Sequence, residues 1–185
     1  TSSTLINNIS HWLEIDPYRL LEETFGGSGY DIAAARNDFP ITYQITSSKP
    51  AVFTADFDPS FKDKLFFVYL NQKQNSREAI AHYRNQPKEN VKGLVEKISG
   101  ITEQIISSES LEEFKLLLKA HEALISKAIN QPRIQKDLFP DYPGLIKSLG
   151  GWGGDFILAT GGSTEKEYFR TKGYNTIFEY SELIK

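Results

Sequence analysis

The 185-residue chain contains no cysteine and no methionine. The first absence excludes disulfides, thiolate metal sites and cysteine nucleophiles, and it fits a reducing compartment. No apolar run approaches the ~20 residues that span a bilayer, and no basic stretch followed by an apolar one opens the chain. No membrane partner is expected, and the expected location is cytoplasmic. Charge of one sign is not in excess either: 21 Lys and Arg stand against 24 Asp and Glu, for a net charge of −3. They are spread along the whole length, which leaves no basic face for nucleic acid. What is present is 39% hydrophobic and 12% aromatic residues, enough for one large or two small packed units. With no methionine, the sequence does not mark its own origin and leaves open that it is a piece of a longer polypeptide.

Hydrophobic periodicity organises the chain. Leu5, Ile6, Ile9, Trp12 and Leu13 recur at helical spacing behind a run of hydroxyl residues suited to capping. Asp16 is placed to cap a second short helix, with Pro17 in its first turn. "YDIAAA", "FPITYQI" and "AVFTADF" read as short strands in an antiparallel arrangement. "KLFFVYL", Lys64 to Leu70, is a continuous apolar run and reads as a central strand covered on both faces. Asn75 and Glu78 resemble a capping box that starts a helix through about Tyr83.

Two stripes follow. Val91, Leu94, Val95, Ile98, Ile101 and Ile105 form the first, and Leu111, Phe114, Leu118, His121, Ile125 and Ala128 the second, with a turn expected at Ser107 to Ser110. His121 on that stripe reads as a core histidine. The last third reads as a helix at about Tyr142 to Leu149, a strand "DFILAT", a helix at about Thr164 to Lys172 and a strand "NTIFEY". The order implies an α+β sandwich with its helices on one face of a sheet.

Three segments carry candidate chemistry. "TSSTL" presents hydroxyls and unpaired backbone N–H groups at a helix start, where anions are favoured; a well-capped helix is the plainer reading. "GGSGYDIA" places Asp31 directly behind glycines, and "KSLGGWGGDF" is a second glycine cluster near the other end.

Taken together and in this order, the three segments resemble the motifs of the GHMP kinases, the superfamily of galactokinase, homoserine kinase, mevalonate kinase and phosphomevalonate kinase. "TSSTL" is similar to the end of their glycine-rich ATP loop, "GGSGYDIA" to their Ser-Gly-x-Asp segment, and "KSLGGWGGDF" to their third glycine motif. "GYDIA", Gly29 to Ala33, matches the signature of the GYDIA family of GHMP kinases. The resemblance implies residues 1–61 as the end of an ATP-binding lobe and 62–185 as a ferredoxin-like α/β sandwich C-terminal lobe. It also implies that the first strands and the adenine pocket lie upstream of Thr1, so that this chain alone is not a complete kinase.

The resemblance further implies ATP and Mg²⁺ as cofactors and a small-molecule acceptor as partner; a homodimer is open. Asp31 falls on the catalytic Asp, for which an Asx-type turn is the structural alternative. Thr1, Ser2 and Ser3 fall on the phosphate-binding hydroxyls, and Ser2 on the Mg²⁺ contact. Glu22 or Glu23 is a weak candidate for a metal carboxylate, a solvated helix residue being the alternative. Gly27, Ser28 and Gly29 would line the acceptor pocket, as would Gly150, Gly151, Trp152 and Gly153. Trp152 and Asp155 depart from the family pattern, which has glycines there. Lys147 could point at a phosphate, a solvated lysine at a helix end being the commoner alternative, and Lys73, Ser76 and Arg77 sit where a strand end meets a helix start, suited to an acidic substrate group or equally to a capped surface helix. The expected activity is phosphorylation of a hydroxyl, or a phosphate, of a mevalonate-pathway-like metabolite. Two alternatives stand beside it: a catalytically silent GHMP-like regulatory protein that binds nucleotide or metabolite, and a free-standing ferredoxin-like interaction domain.

Overall fold

The computed structural model describes residues 2–46, 50–72, 81–86, 91–150 and 154–184, with the backbone alone of Ser2. The chain divides into two compact units, Thr1–Phe57 and Asp58–Ile184.

The first unit contains α1 (Ser2–Leu13), α2 (Pro17–Thr24), α3 (Tyr30–Ala35), β1 (Ile41–Ile45) and β2 (Pro50–Thr54). Asp16 caps α2 as its sequence predicts, accepting the Tyr18 N–H at 2.8 Å, with Pro17 at the position where its missing N–H costs nothing. α1 packs against both α2 and α3. Ile6 on α1 and Ile32 and Ala33 on α3 are buried. β1 and β2 form an antiparallel pair running from Ile41 opposite Thr54 to Ile45 opposite Pro50.

"YDIAAA" is not a strand but α3. Gly29 adopts a left-handed conformation (φ 80°) at its N-cap and turns the chain into the helix, and the three alanines, the best helix formers, complete it. Tyr30 and Ile32 favour strands locally, and the turn at Gly29 overrides them.

The second unit is α+β. Its sheet has the order β4-β5-β3-β6, all pairs antiparallel, built from β3 (Leu65–Tyr69), β4 (Ile146–Ser148), β5 (Phe156–Thr160) and β6 (Ile177–Glu179). Between β3 and β4 run α4 (Val91–Ile106), α5 (Leu111–Ile129) and the short α6 (Ile134–Asp137); α7 (Ser163–Thr171) links β5 to β6, and α8 (Tyr180–Leu183) follows. This is the split β-α-β order of ferredoxin-like sandwiches. α4 and α5 pair as the expected hairpin, with Ser110 capping α5 by accepting the Glu113 N–H. A helical turn at 81–84 carries His82, whose Nε2 lies 2.7 Å from the Ile129 carbonyl. The proposed capping pair Asn75 and Glu78 lies outside the described residues.

β3 is central, but its faces differ. Phe66 and Val68 are fully buried beneath Phe139, Tyr142 and Phe169 in the main core. On the opposite face Leu65 is buried while Phe67 and Tyr69 are half-buried and make aromatic contacts, Phe67 with Tyr180 and Tyr69 with Phe156.

The helix expected at Tyr142 to Leu149 is a turn and the strand β4. Long-range partners decide it: the Ile146 N–H donates to Gln135 Oε1 at 3.1 Å, the Leu145 N–H donates to Thr160 Oγ1 at 2.9 Å, and β4 pairs with β5. Apolar residues at Leu145, Ile146 and Leu149 fit helical spacing equally well, and the tertiary bonds override that local pattern.

Candidate functional site

The glycine segment ahead of α3 is held from both sides by tyrosines that sequence patterning did not single out. A Cβ on Gly29 would meet Tyr18 Cδ1 at 2.8 Å and Tyr43 Oη at 3.1 Å, so the backbone passes where no side chain fits. Tyr43 donates its hydroxyl to the Ser28 carbonyl, and its ring meets Tyr30 edge-on with centroids 5.8 Å apart. The Tyr30 N–H donates to Ser28 Oγ at 3.3 Å. Burial pushes both tyrosine hydroxyls above their usual pKa; for Tyr18, Arg36 opposes the shift and Asp16 adds to it, and for Tyr43 the neighbouring Tyr18 adds. Both are therefore neutral donors near pH 7. Their contact is long-range in sequence, joining α2 and β1 to the loop. No local spacing announces it.

Asp31 lies in the first turn of α3 with its side chain exposed. Among the described residues its carboxylate has no hydrogen-bond or ion-pair partner. The Asx-type turn does not form: Gly29 occupies the N-cap and Ser28 Oγ takes the local N–H. An uncommitted carboxylate on a fixed turn can accept a proton from a bound hydroxyl, which is what a general base requires.

The other candidates are distributed as follows. Gly27 (φ 112°) and Gly26 (φ 65°) lie in the same exposed loop with open space beside them. Ser2 and Ser3 start α1, one turn before the buried Ile6. Thr1 lies outside the described residues, as do Lys73, Ser76, Arg77, Gly151, Trp152 and Gly153. Gly150 (φ 65°) begins the connection between the antiparallel strands β4 and β5. Leu149 donates its N–H to the Phe156 carbonyl at 3.2 Å, closing the base of that connection.

Lys147 is engaged inside the second unit. Its Nζ lies 2.9 Å from Glu122 Oε1, and Ser148 Oγ lies 3.2 Å from Glu122 Oε2. The Glu122 side chain is only 2% exposed. This buried pair ties α5 to β4, the strand that ends just before Gly150, a role the sequence reading did not assign. Beside it, His121 Nδ1 is buried with no hydrogen-bond partner among the described residues. Burial, reinforced by the Lys147 charge, lowers the His121 pKa from 6.5 to about 4. It is a neutral histidine at physiological pH.

No group of three His, Asp or Glu side chains comes together among the described residues, and Glu23 is paired with Arg19 at 3.1 Å on the exposed face of α2. Nor is any helix among them long and apolar enough to cross a membrane.

Comparison with known proteins bears on the fold. No family model matches the sequence, and no curated protein sequence matches it. Among solved structures, the chain is similar to L. major mevalonate kinase in complex with R-mevalonate, with a TM-score of 0.62 and 17% identity over 85% of this chain and 53% of that one. It is also similar to a Lin0012 protein from Listeria innocua, with a TM-score of 0.63 and 15% identity over 96% of this chain and 61% of that one. The chain thus spans less than two thirds of either structure. At these identities the likeness shows the fold alone, an α+β architecture shared with part of each of those structures.

Proposed function

We propose that this chain is the C-terminal portion of an ATP-dependent small-molecule kinase of the GHMP type, residues 1–61 completing its ATP-binding domain and 62–185 forming its C-terminal domain. The acceptor is a hydroxyl, or a phosphate, of a mevalonate-pathway-like metabolite, in a cytoplasmic setting. The observation that carries the reading is the uncommitted Asp31 carboxylate, set on a turn fixed by Tyr18 and Tyr43, in a chain whose fold is like that of a mevalonate kinase.

In this account the acceptor oxygen attacks the γ-phosphorus of ATP, the bond from that phosphorus to the β-phosphate oxygen breaks, and ADP leaves. Asp31 accepts the acceptor's proton. Such transfer depends on alignment more than on covalent help, and the open space beside Gly26 and Gly27 lets backbone approach the acceptor without a side chain between. Ser2 and Ser3, at the start of α1, are assigned to the phosphates by the resemblance of their segment to the ATP loop. No step is assigned to Mg²⁺. Glu122 holds Lys147 and thereby β4, the strand that ends just before Gly150.

An ATP-consumption screen on the full-length polypeptide, with mevalonate, phosphomevalonate, homoserine and galactose as acceptors, tests this reading. ADP formation that depends on one acceptor supports it. Nucleotide binding without turnover on any acceptor points instead to the silent homologue.

A further inference from the structure

The second unit contains a concave surface that the proposed kinase chemistry does not use. A cleft of about 590 Å³ lies between the N-terminal half of α5 and the segment around α6, within the size range of small-molecule sites. Lys115 and Lys119 line it from α5, one turn apart, and Arg133 and Lys136 line it from the other wall. The one carboxylate among its lining residues, Glu112, is already committed to Lys115 at 2.9 Å. Among the described residues, no hydrogen-bond or ion-pair partner engages the side chains of Lys119, Arg133 or Lys136. Three uncompensated cations therefore face one cleft in a chain whose net charge is −3.

That arrangement has a cost. Like charges at i, i+4 on one helix, as at Lys115 and Lys119, oppose each other, and the remaining cations add to the repulsion across the cleft. A concave wall of one sign also concentrates the field and draws counter-ions. The second wall is fixed: Gln135 Nε2 donates to the Gly144 carbonyl at 2.8 Å while its Oε1 accepts the Ile146 N–H at 3.1 Å. The cations of α6 are thus presented on a pinned segment.

We propose that this cleft binds a small, multiply charged anion of the phosphate class, with a diphosphate group as its smallest complete occupant. Arg133 supplies the forked donor that matches phosphate oxygens in pairs, and Lys119 and Lys136 supply point charges on opposite walls, which two linked phosphates can engage together. Leu116, 68% exposed beside them, offers apolar surface to whatever the diphosphate is attached to. The site is independent of the kinase reading.

The test is a titration of the full chain with inorganic pyrophosphate, followed by calorimetry and by backbone amide chemical shifts. Saturable binding is expected, with shifts concentrated at 112–119 and 133–145. The double substitution Lys119→Ala/Lys136→Ala should weaken it at least tenfold with an unchanged melting temperature, while Lys92→Ala/Lys97→Ala on α4 should leave it unchanged. Equal weakening by both pairs would mean diffuse attraction and would overturn the proposal. So would shifts confined to 26–31 and 149–155, or an affinity insensitive to Lys119 and Lys136.

Discussion

Glu122 Oε1 and Lys147 Nζ meet at 2.9 Å across the second unit, the acid 2% and the lysine 18% exposed at their side chains. The contact joins the middle of α5 to β4. A buried carboxylate is tolerated only while its partners remain, because desolvation is not recovered without them. Lys147→Met leaves Glu122 buried with, among the described residues, only Ser148 Oγ against it, and should cost about 3–5 kcal/mol. Lys147→Met combined with Glu122→Leu should recover most of that loss. Urea unfolding of the two single variants and the double variant measures the coupling, and additive losses would show that the pair does not act as one unit.

Gly29 and Gly27 separate two effects within one loop. Both have positive φ, so alanine at either should cost about 1–2 kcal/mol in backbone strain. Only at Gly29 does the new methyl also meet Tyr18 and Tyr43, adding about 1–3 kcal/mol of overpacking. Gly29→Ala should therefore have the lower denaturation midpoint of the two. Tyr18→Ala in the Gly29→Ala background should recover part of the difference, and its failure to do so would remove the steric argument.

The His121 ring gives a pH dependence of definite sign. Its folded pKa, about 4, lies below the unfolded value of 6.5, so the unfolded chain binds the proton first. Its contribution is complete above pH ~6.5 and is lost as pH falls through the window towards 4. Because the ring is only partly buried, the loss should be about 1–2 kcal/mol rather than the full shift. His121→Gln should flatten the stability profile relative to wild type in that window, as read by chemical denaturation at a series of pH values. An unchanged slope would place the acid sensitivity elsewhere.

What could be read without coordinates followed from local rules. Asp16 and Pro17 announce α2 because capping and fixed φ act within three residues, and the α4–α5 hairpin announces itself through two sustained apolar stripes. The central strand, Leu65–Tyr69, was legible within Lys64 to Leu70 because the run from Leu65 is apolar apart from the Tyr69 hydroxyl. "YDIAAA" and the stretch before Leu149 were misread for the opposite reason. In the first, one glycine's handedness outweighs β-leaning neighbours; in the second, Gln135 and Thr160, both more than ten residues away, claim the backbone donors. The site divides the same way. Asp31 stands out behind its glycines, whereas Tyr18, Tyr43 and the Glu122–Lys147 pair act through contacts that no spacing encodes.

Asp31→Ala in the full-length polypeptide, assayed for acceptor-dependent ADP formation, tests the central claim most directly. The side chain is exposed and engages no partner among the described residues, so folding and nucleotide binding should be unchanged. Turnover should fall by about 10²-fold or more, the usual contribution of a positioned base. Turnover close to wild type, with the same melting temperature, would contradict the account and remove Asp31 from the mechanism.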